Sequence, residues 1–392
     1  MSQRRVVVTG ADVVSCCGIG REAFFDGLLA PAPTERPRRV PEYDLSPYFD
    51  RKAARRLDRH THLAMTAAIE ALNQAGELPY DPLRIGTLIG TGVGGMATFE
   101  EQVQVGLEKG ERRISPFLVP MMMANASSAN ISMRYGFQGP SETTVTACAA
   151  SNQSIGNAAN MIRWGRCDAV VTGGTESALT TAGMAGFKNM TALSTEGISR
   201  PFDANRDGFI QAEGAGAIVL EEYEGAKARG ATILAEVLGY ATTADAGHIT
   251  APSEGGRGAI DCMTMAIEDA GLTPADITYV NAHGTSTPLN DAAEATAIQA
   301  VFGSPGPKVT SIKGVTGHAL GAAGALEALS IIESMQRGLI PPTAGTTAVD
   351  PELAQIDLVI GEAAEWTPSP AISNSFGFGG HNATLVFGPP PS

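Results

Sequence analysis

Short β-branched runs that close on glycine recur along the chain. The first, Arg4-Arg5-Val-Val-Val-Thr-Gly10, predicts a buried strand followed by a turn. Runs of the same form stand at 85–90, 169–173, 216–220, 277–281 and 309–313. Between them, helical patterns cover 57–76, 151–165, 258–271 and 319–338, so strands and helices alternate. That alternation predicts an α/β architecture with helices covering a central sheet. The helix over 57–76 carries Leu63, Ala67, Ala68 and Ala71 as its packing face and ends at Gly76, a fitting C′ residue. Near 230–244 a helical segment ends and a fresh strand-like run begins at 232, which divides the chain into halves 1–235 and 236–392. The proline-rich stretch 31–41 reads as a surface loop.

A length of 392 residues suits two ordinary domains or one large α/β unit. With 43% hydrophobic residues and 46 glycines, it can build a sizeable core and needs many tight turns and close backbone approaches. The net charge of −14 repels nucleic-acid phosphates and anionic lipid, so neither nucleic acid nor a membrane is expected as a partner. Between Arg36 and Arg59 the balance reverses: eight basic residues stand against Glu42, Asp44, Asp50 and Asp58. The five cysteines, Cys16, Cys17, Cys148, Cys167 and Cys262, show no CxxC and no zinc-ligand spacing, so no disulfide framework or metal site is expected and a reducing compartment fits. No segment has the length of a secretory signal or a membrane span, so the protein is expected in the cytoplasm.

Four segments combine reactive residues, small residues and strand-end positions. In Val145-Thr-Ala-Cys148-Ala-Ala-Ser151 a β-branched run meets the start of a helix, where N–H groups and the helix dipole favour a thiolate; the small neighbours leave room for a substrate at the sulfur. Val280-Asn-Ala-His283-Gly-Thr-Ser-Thr287 places a histidine just beyond a buried strand. Ser311-Ile-Lys313-Gly-Val-Thr-Gly-His318 repeats that arrangement, and together the two suggest a site at one edge of the sheet. Asn374-Ser-Phe376-Gly-Phe378-Gly-Gly-His381-Asn382 offers glycines for close approach and phenylalanines to cover an apolar ligand. Taken singly, each has a plain structural reading: a buried cysteine, core histidines, a glycine-rich turn.

In this order the segments resemble the condensing enzymes of the thiolase-like fold, most closely the β-ketoacyl-[acyl-carrier-protein] synthases of the second type. The resemblance runs over nearly the whole chain and includes Ser199-Arg-Pro-Phe-Asp203 and Arg206-Asp-Gly-Phe209. It implies two pseudo-repeated α/β halves in an α-β-α-β-α layering, the first carrying the nucleophile and the second both histidines. It implies that Cys148 holds an acyl chain as a thioester while His283 and His318 hydrogen-bond the carbonyl of a malonyl thioester as CO₂ leaves. Lys313 supports the histidines, Glu294 balances its charge, and Phe378 both gates the site and supplies an oxyanion N–H beside that of Cys148. Thr285, Thr287 and Phe376 fall at substrate-binding positions. No bound cofactor is implied, since substrates arrive on the phosphopantetheine arm of an acyl carrier protein. Lys52, Arg55, Arg56, Arg112 and Arg113 match the positions that dock that acidic carrier. A homodimer is expected, with a heterodimer with a chain-length factor as the alternative for a type II polyketide or polyene ketosynthase.

A non-catalytic chain-length subunit fits less well, because such subunits lack the nucleophile, and thiolases use a second cysteine where this chain has histidine. Gly90-Thr-Gly-Val-Gly-Gly95 satisfies GxGxxG, but no acidic residue closes a βαβ unit after it, so it is expected to be structural. His60 and His62 are expected to be solvated on a helix surface, and the segment around His248 to line the substrate entrance. His381 stands where the family commonly has threonine, and no role is derived for it.

Overall fold

The computed structural model describes residues 4–391. Its nine longer strands are β1 (Val6–Ser15), β2 (Ile85–Gly90), β3 (Ala169–Glu176), β4 (Gly214–Glu222), β5 (Ala235–Ala244), β6 (Tyr279–Asn281), β7 (Lys308–Thr310), β8 (Ala371–Gly377) and β9 (His381–Gly388). They follow one hydrogen-bonded path, β7-β6-β8-β9-β5-β1-β4-β3-β2, with two-residue strands at both edges, Asp357–Leu358 beside β7 and Ser141–Glu142 beside β2. Pairing is parallel among β7, β6 and β8 and between β2 and β3, and antiparallel through the middle. The β1–β5 junction that joins the two halves of the path consists of three residue pairs, Val6–Val8 with Ala235–Val237. The expected division at 235 thus falls on the first residue of β5.

Helices cover both faces. Against the first half packs α3 (Arg59–Ala75), and against the second α6 (Arg257–Asp269); α5 (Ala150–Arg163) and α9 (Ala323–Arg337) form a middle layer touching strands of both halves. Three apolar clusters fill the gaps: Leu63, Ala67, Ala71 and Val219 under α3; Ile155, Ala159, Leu329 and Ile332 around the middle helices; Met263, Ala266, Val280 and Ile372 under α6. This is the five-layer α-β-α-β-α arrangement. The middle helices are rich in Ala, Gly and Ser because sheets pack on both of their sides, and only small side chains allow both approaches.

Two expectations are corrected. His60 is fully buried, donating from Nδ1 to Asp58 at 2.8 Å, and His62 is half-buried with Nε2 2.8 Å from the Ala54 carbonyl oxygen. His60 shares a helical stripe with Leu63, Ala64, Ala67 and Ala71, so the period that buries those residues buries it too. The proline-rich stretch is irregular, but Arg38 and Val40 are buried within it. The Arg38 main chain pairs with Gln211 and Glu213, which pins the loop to the body of the protein.

Candidate active site

Cys148 lies in a single turn of 3-10 helix (Ala147–Ala149) that runs directly into α5. Ala147 before it has φ 48°, a left-handed conformation that costs about 1–3 kcal/mol in most residues and turns the sulfur toward the cavity. Gly377 approaches so closely that a Cβ there would stand 2.9 Å from the Thr146 carbonyl oxygen and 3.2 Å from the Cys148 nitrogen, so the segment carrying Phe378 lies against the nucleophile's own backbone.

His283 follows β6 in a tight loop shaped by two buried carboxylates of α7 (Pro288–Phe302). Glu294 accepts from the N–H groups of His283 (2.8 Å) and Gly284 (2.7 Å), and Asp291 accepts from Thr285 (2.9 Å), Ser286 (3.1 Å) and Phe202 (2.8 Å). Three residues apart, the two acids share one face of α7 and satisfy five main-chain donors that no strand reaches. Glu294 is therefore not the charge partner of Lys313, contrary to expectation.

That partner is Glu327 on α9. Lys313 opens the short helix α8 (Lys313–Thr316), and its fully buried ammonium donates to Glu327, to the His283 carbonyl oxygen and to His283 Nδ1 at 3.3 Å. An ammonium has three protons, so its donors are saturated. Because Nδ1 accepts, the His283 ring proton sits on Nε2. His318, just beyond α8, places Nε2 3.0 Å from Cys148 Sγ, while its buried Nδ1 has no partner. A bare lone pair there is less costly than an unmatched N–H, which puts this proton on Nε2 as well. The reactive atoms of Cys148, His283 and His318 lie within 4.8 Å of one another.

Burial and the Lys313 charge hold both imidazoles well below their ordinary pKa, so they are neutral. Burial also pushes the Cys148 thiol up to about 12, opposed by the Lys313 charge and the Phe378 N–H. The helix terminus expected to favour a thiolate is present, but desolvation outweighs it at the buried sulfur. Burial likewise raises the Glu327 carboxyl, with Lys313 the main force against it.

The cavity over Cys148 measures about 430 Å³ and is lined by His283, Thr285, Thr287, Glu294, His318, Phe376 and Phe378, among others. Thr285 and Thr287 join their hydroxyls at 2.8 Å. Phe209 meets the His318 ring edge-on at 4.9 Å, Phe376 meets His283 at 5.9 Å, and Phe187 lies between Phe209 and Phe378. Phe187, Asp291 and Glu327 were not singled out from the sequence; Glu327 carried a signal as a carboxylate inside the apolar run 319–332. Residues 250–253 line the cavity mouth, whereas the His248 side chain is exposed and accepts from the N–H groups of Thr250 and Ala251. The glycine loop 90–95 is filled by buried Glu176, which accepts from Gly92 at 2.6 Å, and a Cβ on Gly92 would stand 2.5 Å from that carboxylate. Away from this site, Arg51, Lys52, Arg55 and Arg56 surround a second hollow of about 410 Å³ with Phe117, over which Arg56 stacks at 4.3 Å; Arg112 and Arg113 stand exposed shortly before Phe117 in the chain.

Family models described as Beta-ketoacyl synthase, N-terminal domain and Beta-ketoacyl synthase, C-terminal domain match residues 40–226 and 234–347. The chain is 42% identical to 3-oxoacyl-[acyl-carrier-protein] synthase 2 of Synechocystis sp., across 99% of this chain and 98% of that protein. Among solved structures it resembles a beta-ketoacyl synthase from Burkholderia phymatum (34% identity, TM-score 0.92, covering 99% and 100% of the two chains) and the ishigamide ketosynthase/chain length factor (33%, TM-score 0.92, covering all of both).

Two outcomes follow from the buried charges. Glu327→Gln leaves the Lys313 ammonium without its anion and is expected to lower stability by about 3–5 kcal/mol in urea unfolding at pH 7; a variant as stable as the parent would show that this lysine carries no charge. Burial pushes Glu294 up to about 7 from 4.5, so the folded protein holds this proton more tightly than the unfolded chain does. Its stabilising contribution is full below pH 4.5 and is lost as pH rises through 7. The stability advantage of the parent over Glu294→Gln should therefore shrink between acid and neutral pH by about 3 kcal/mol; a gap independent of pH would contradict the assignment.

Proposed function

The chain belongs to the β-ketoacyl synthase family, and on that premise we propose that it extends an acyl chain held on Cys148 by decarboxylative condensation with a malonyl thioester, both delivered on an acyl carrier protein. The observation that carries this reading is the convergence of one thiol and two neutral imidazoles within 4.8 Å in a cavity walled by phenylalanines.

The Cys148 sulfur attacks the acyl thioester, and its proton leaves with the released carrier thiol. A malonyl thioester then takes the carrier site. Its carboxylate departs as CO₂, and the bonding electrons pass into the thioester carbonyl to form an enolate. The Nε2–H groups of His283 and His318 donate to that oxygen. Two neutral donors stabilise the developing charge without placing a second cation beside Lys313. The enolate carbon attacks the Cys148 thioester, the new oxyanion is held by the N–H groups of Cys148 and Phe378, and collapse expels the Cys148 thiolate, which takes a proton from water, with the β-ketoacyl carrier as product. Lys313 acts through the imidazoles and Glu294 through the backbone that carries His283. Thr285, Thr287 and Phe376 line the path we assign to the phosphopantetheine arm, with Phe378 as its gate.

Carrier docking is assigned to Lys52, Arg55, Arg56, Arg112 and Arg113. Their charges make no ion pair among the described residues, which leaves them available to an acidic partner. Homodimerisation is assigned to the sheet edge at the two-residue strand Ser141–Glu142, where exposed Val145 follows closely in the chain. No helix among the described residues is long and apolar enough to cross a membrane, and with five free cysteines we place the enzyme in the cytoplasm. A second reading, the ketosynthase of a type II polyketide pathway working with a chain-length factor, draws on the likeness to the ishigamide pair. A product that forms only when a second subunit is supplied would favour it.

Intact mass spectrometry with acyl-carrier substrates tests the division of labour. Cys148→Ala should take up no acyl group. His283→Ala should still be acylated but condense about 10²–10³-fold more slowly, and equal losses in both steps would remove the enolate role. Charge reversal at Arg55 and Arg56 should raise the apparent KM for carrier-bound substrates at low salt and leave kcat unchanged, the difference shrinking as salt is added. Identical kinetics in the two proteins would displace docking to another surface.

A further inference from the structure

One fully buried carboxylate near the active site takes no part in the condensation steps: Glu176, the last residue of β3. It makes no ion pair among the described residues, and each of its hydrogen-bond partners is a neutral donor. Oε2 accepts from the N–H groups of Gly92 at 2.6 Å and Gly321 at 3.1 Å, and Oε1 accepts from the Thr91 hydroxyl at 3.0 Å. The Thr91 oxygen in turn accepts from the Gly94 N–H at 3.1 Å, so its own proton is left for the carboxylate. Burial raises the Glu176 carboxyl, and the Gly92 and Gly321 N–H groups are the first forces against it. A carboxylate taken out of water is costly unless such donors offset the loss, so its place here calls for a reason in what it holds.

It holds Gly321. That residue follows Leu320, the first residue of a single turn of 3-10 helix (Leu320–Ala322) just beyond His318. Leu320 has φ 46°, a left-handed conformation that a residue with a Cβ keeps only where its surroundings over-determine it. Both main-chain groups of Gly321 are gripped, the N–H by Glu176 and the carbonyl oxygen by the Ser151 hydroxyl. Ser151 lies on α5, the helix that begins at the nucleophile, so the grip joins the His318 segment to the element carrying Cys148. Three glycines make the room for it. A Cβ would stand 2.2 Å from the Gly92 nitrogen if placed on Gly321, 1.9 Å from Ser151 Oγ on Gly174, and 2.5 Å from the Glu176 carboxylate on Gly92. The turn packs Leu320 with Cys148 and Ala178, while His318 Nε2 stands 3.0 Å from the Cys148 sulfur.

We propose that Glu176 is a positioning residue of the condensing site: with Ser151 it fixes the strained turn after His318 and so sets His318 and Leu320 against the Cys148 sulfur. The catalytic consequence rests on the condensation reading; the structural one does not. The His318 main chain is held from its other side, where its N–H bonds to the Ile210 carbonyl oxygen at 2.7 Å and its carbonyl oxygen accepts from Ala212 at 3.0 Å. The grip on Gly321 is what stops the segment from pivoting about that pairing. Glu176 acts here as an acceptor of hydrogen bonds rather than as a charge, since the groups it holds are two main-chain N–H groups and a hydroxyl. Without an acceptor those N–H groups would be buried and unpaired, and the turn would lose what keeps Leu320 left-handed.

Full-length Glu176→Gln and Glu176→Ala test this. The glutamine amide oxygen can accept from both Gly92 and Gly321, whereas alanine accepts from neither. In a crystal structure of Glu176→Ala, Leu320 should leave the left-handed region and His318 Nε2 should move away from Cys148 Sγ by about 1 Å; in Glu176→Gln both should stay as in the parent. This readout needs no substrate. Failure of the condensation reading would show separately, as a parent protein that takes up no acyl group or does not extend it. In single turnover followed by intact mass spectrometry, Glu176→Ala should load Cys148 to the parental stoichiometry and then condense with malonyl-carrier about 10²-fold more slowly, while Glu176→Gln condenses at close to the parental rate. Should Glu176→Ala not fold, Ser151→Ala, which frees the other side of Gly321, is read in the same way. An unmoved turn in the alanine variant, a glutamine variant as slow as the alanine one, or equal losses in acylation and condensation would overturn the proposal.

Discussion

Everything at the active site is arranged around one buried ammonium. Lys313 spends its three protons on Glu327, the His283 carbonyl oxygen and His283 Nδ1. Taking this charge out of water carries a penalty of several kcal/mol that only a complete set of acceptors offsets. The same set decides the chemistry. It fixes the His283 proton on Nε2, adds to the burial that keeps both imidazoles neutral, and is the main force lowering the Cys148 thiol against burial. A neutral residue at 313 would leave the His283 tautomer unspecified and Glu327 an unpaired anion in the middle layer.

The layering explains how groups so distant in sequence reach one point. Cys148 comes from the start of one middle helix, α5, while Glu327 stands on the other, α9, and the histidines and Lys313 belong to segments that leave β6 and β7 on the other half of the sheet. Strands that end at the same edge deliver their loops there, so the site forms where the two halves meet. Packing helices between two sheets demands small residues, and the Ala- and Gly-rich starts of α5 and α9 meet that demand while leaving the space the acyl group needs.

What could be read from the chain was whatever depends on local period or on an ordered series of motifs. The strands, the main helices, Cys148, both histidines and Lys313 stand where the residues indicated. Two of the errors share a cause: they concerned which partner a buried polar group finds, and partners are chosen in three dimensions. Glu294 was matched to Lys313, but its carboxylate lies on the main-chain side of the His283 loop, and the ammonium turns instead toward α9. Arg38 looked like a surface residue in a proline-rich loop because nothing local reveals that Gln211 and Glu213 hold its backbone inside. His60 is the exception, since its place on the stripe of Leu63 and Ala67 was visible in the helical period and its polarity was given too much weight.

Enclosure sets the character of the Cys148 sulfur. Cys148 is closed in, and the loss of water raises its thiol to about 12 despite a helix terminus, a lysine and a backbone N–H that all favour the anion. Its reactivity therefore depends on a substrate entering and bringing an electrophilic carbonyl within reach of donors already in place.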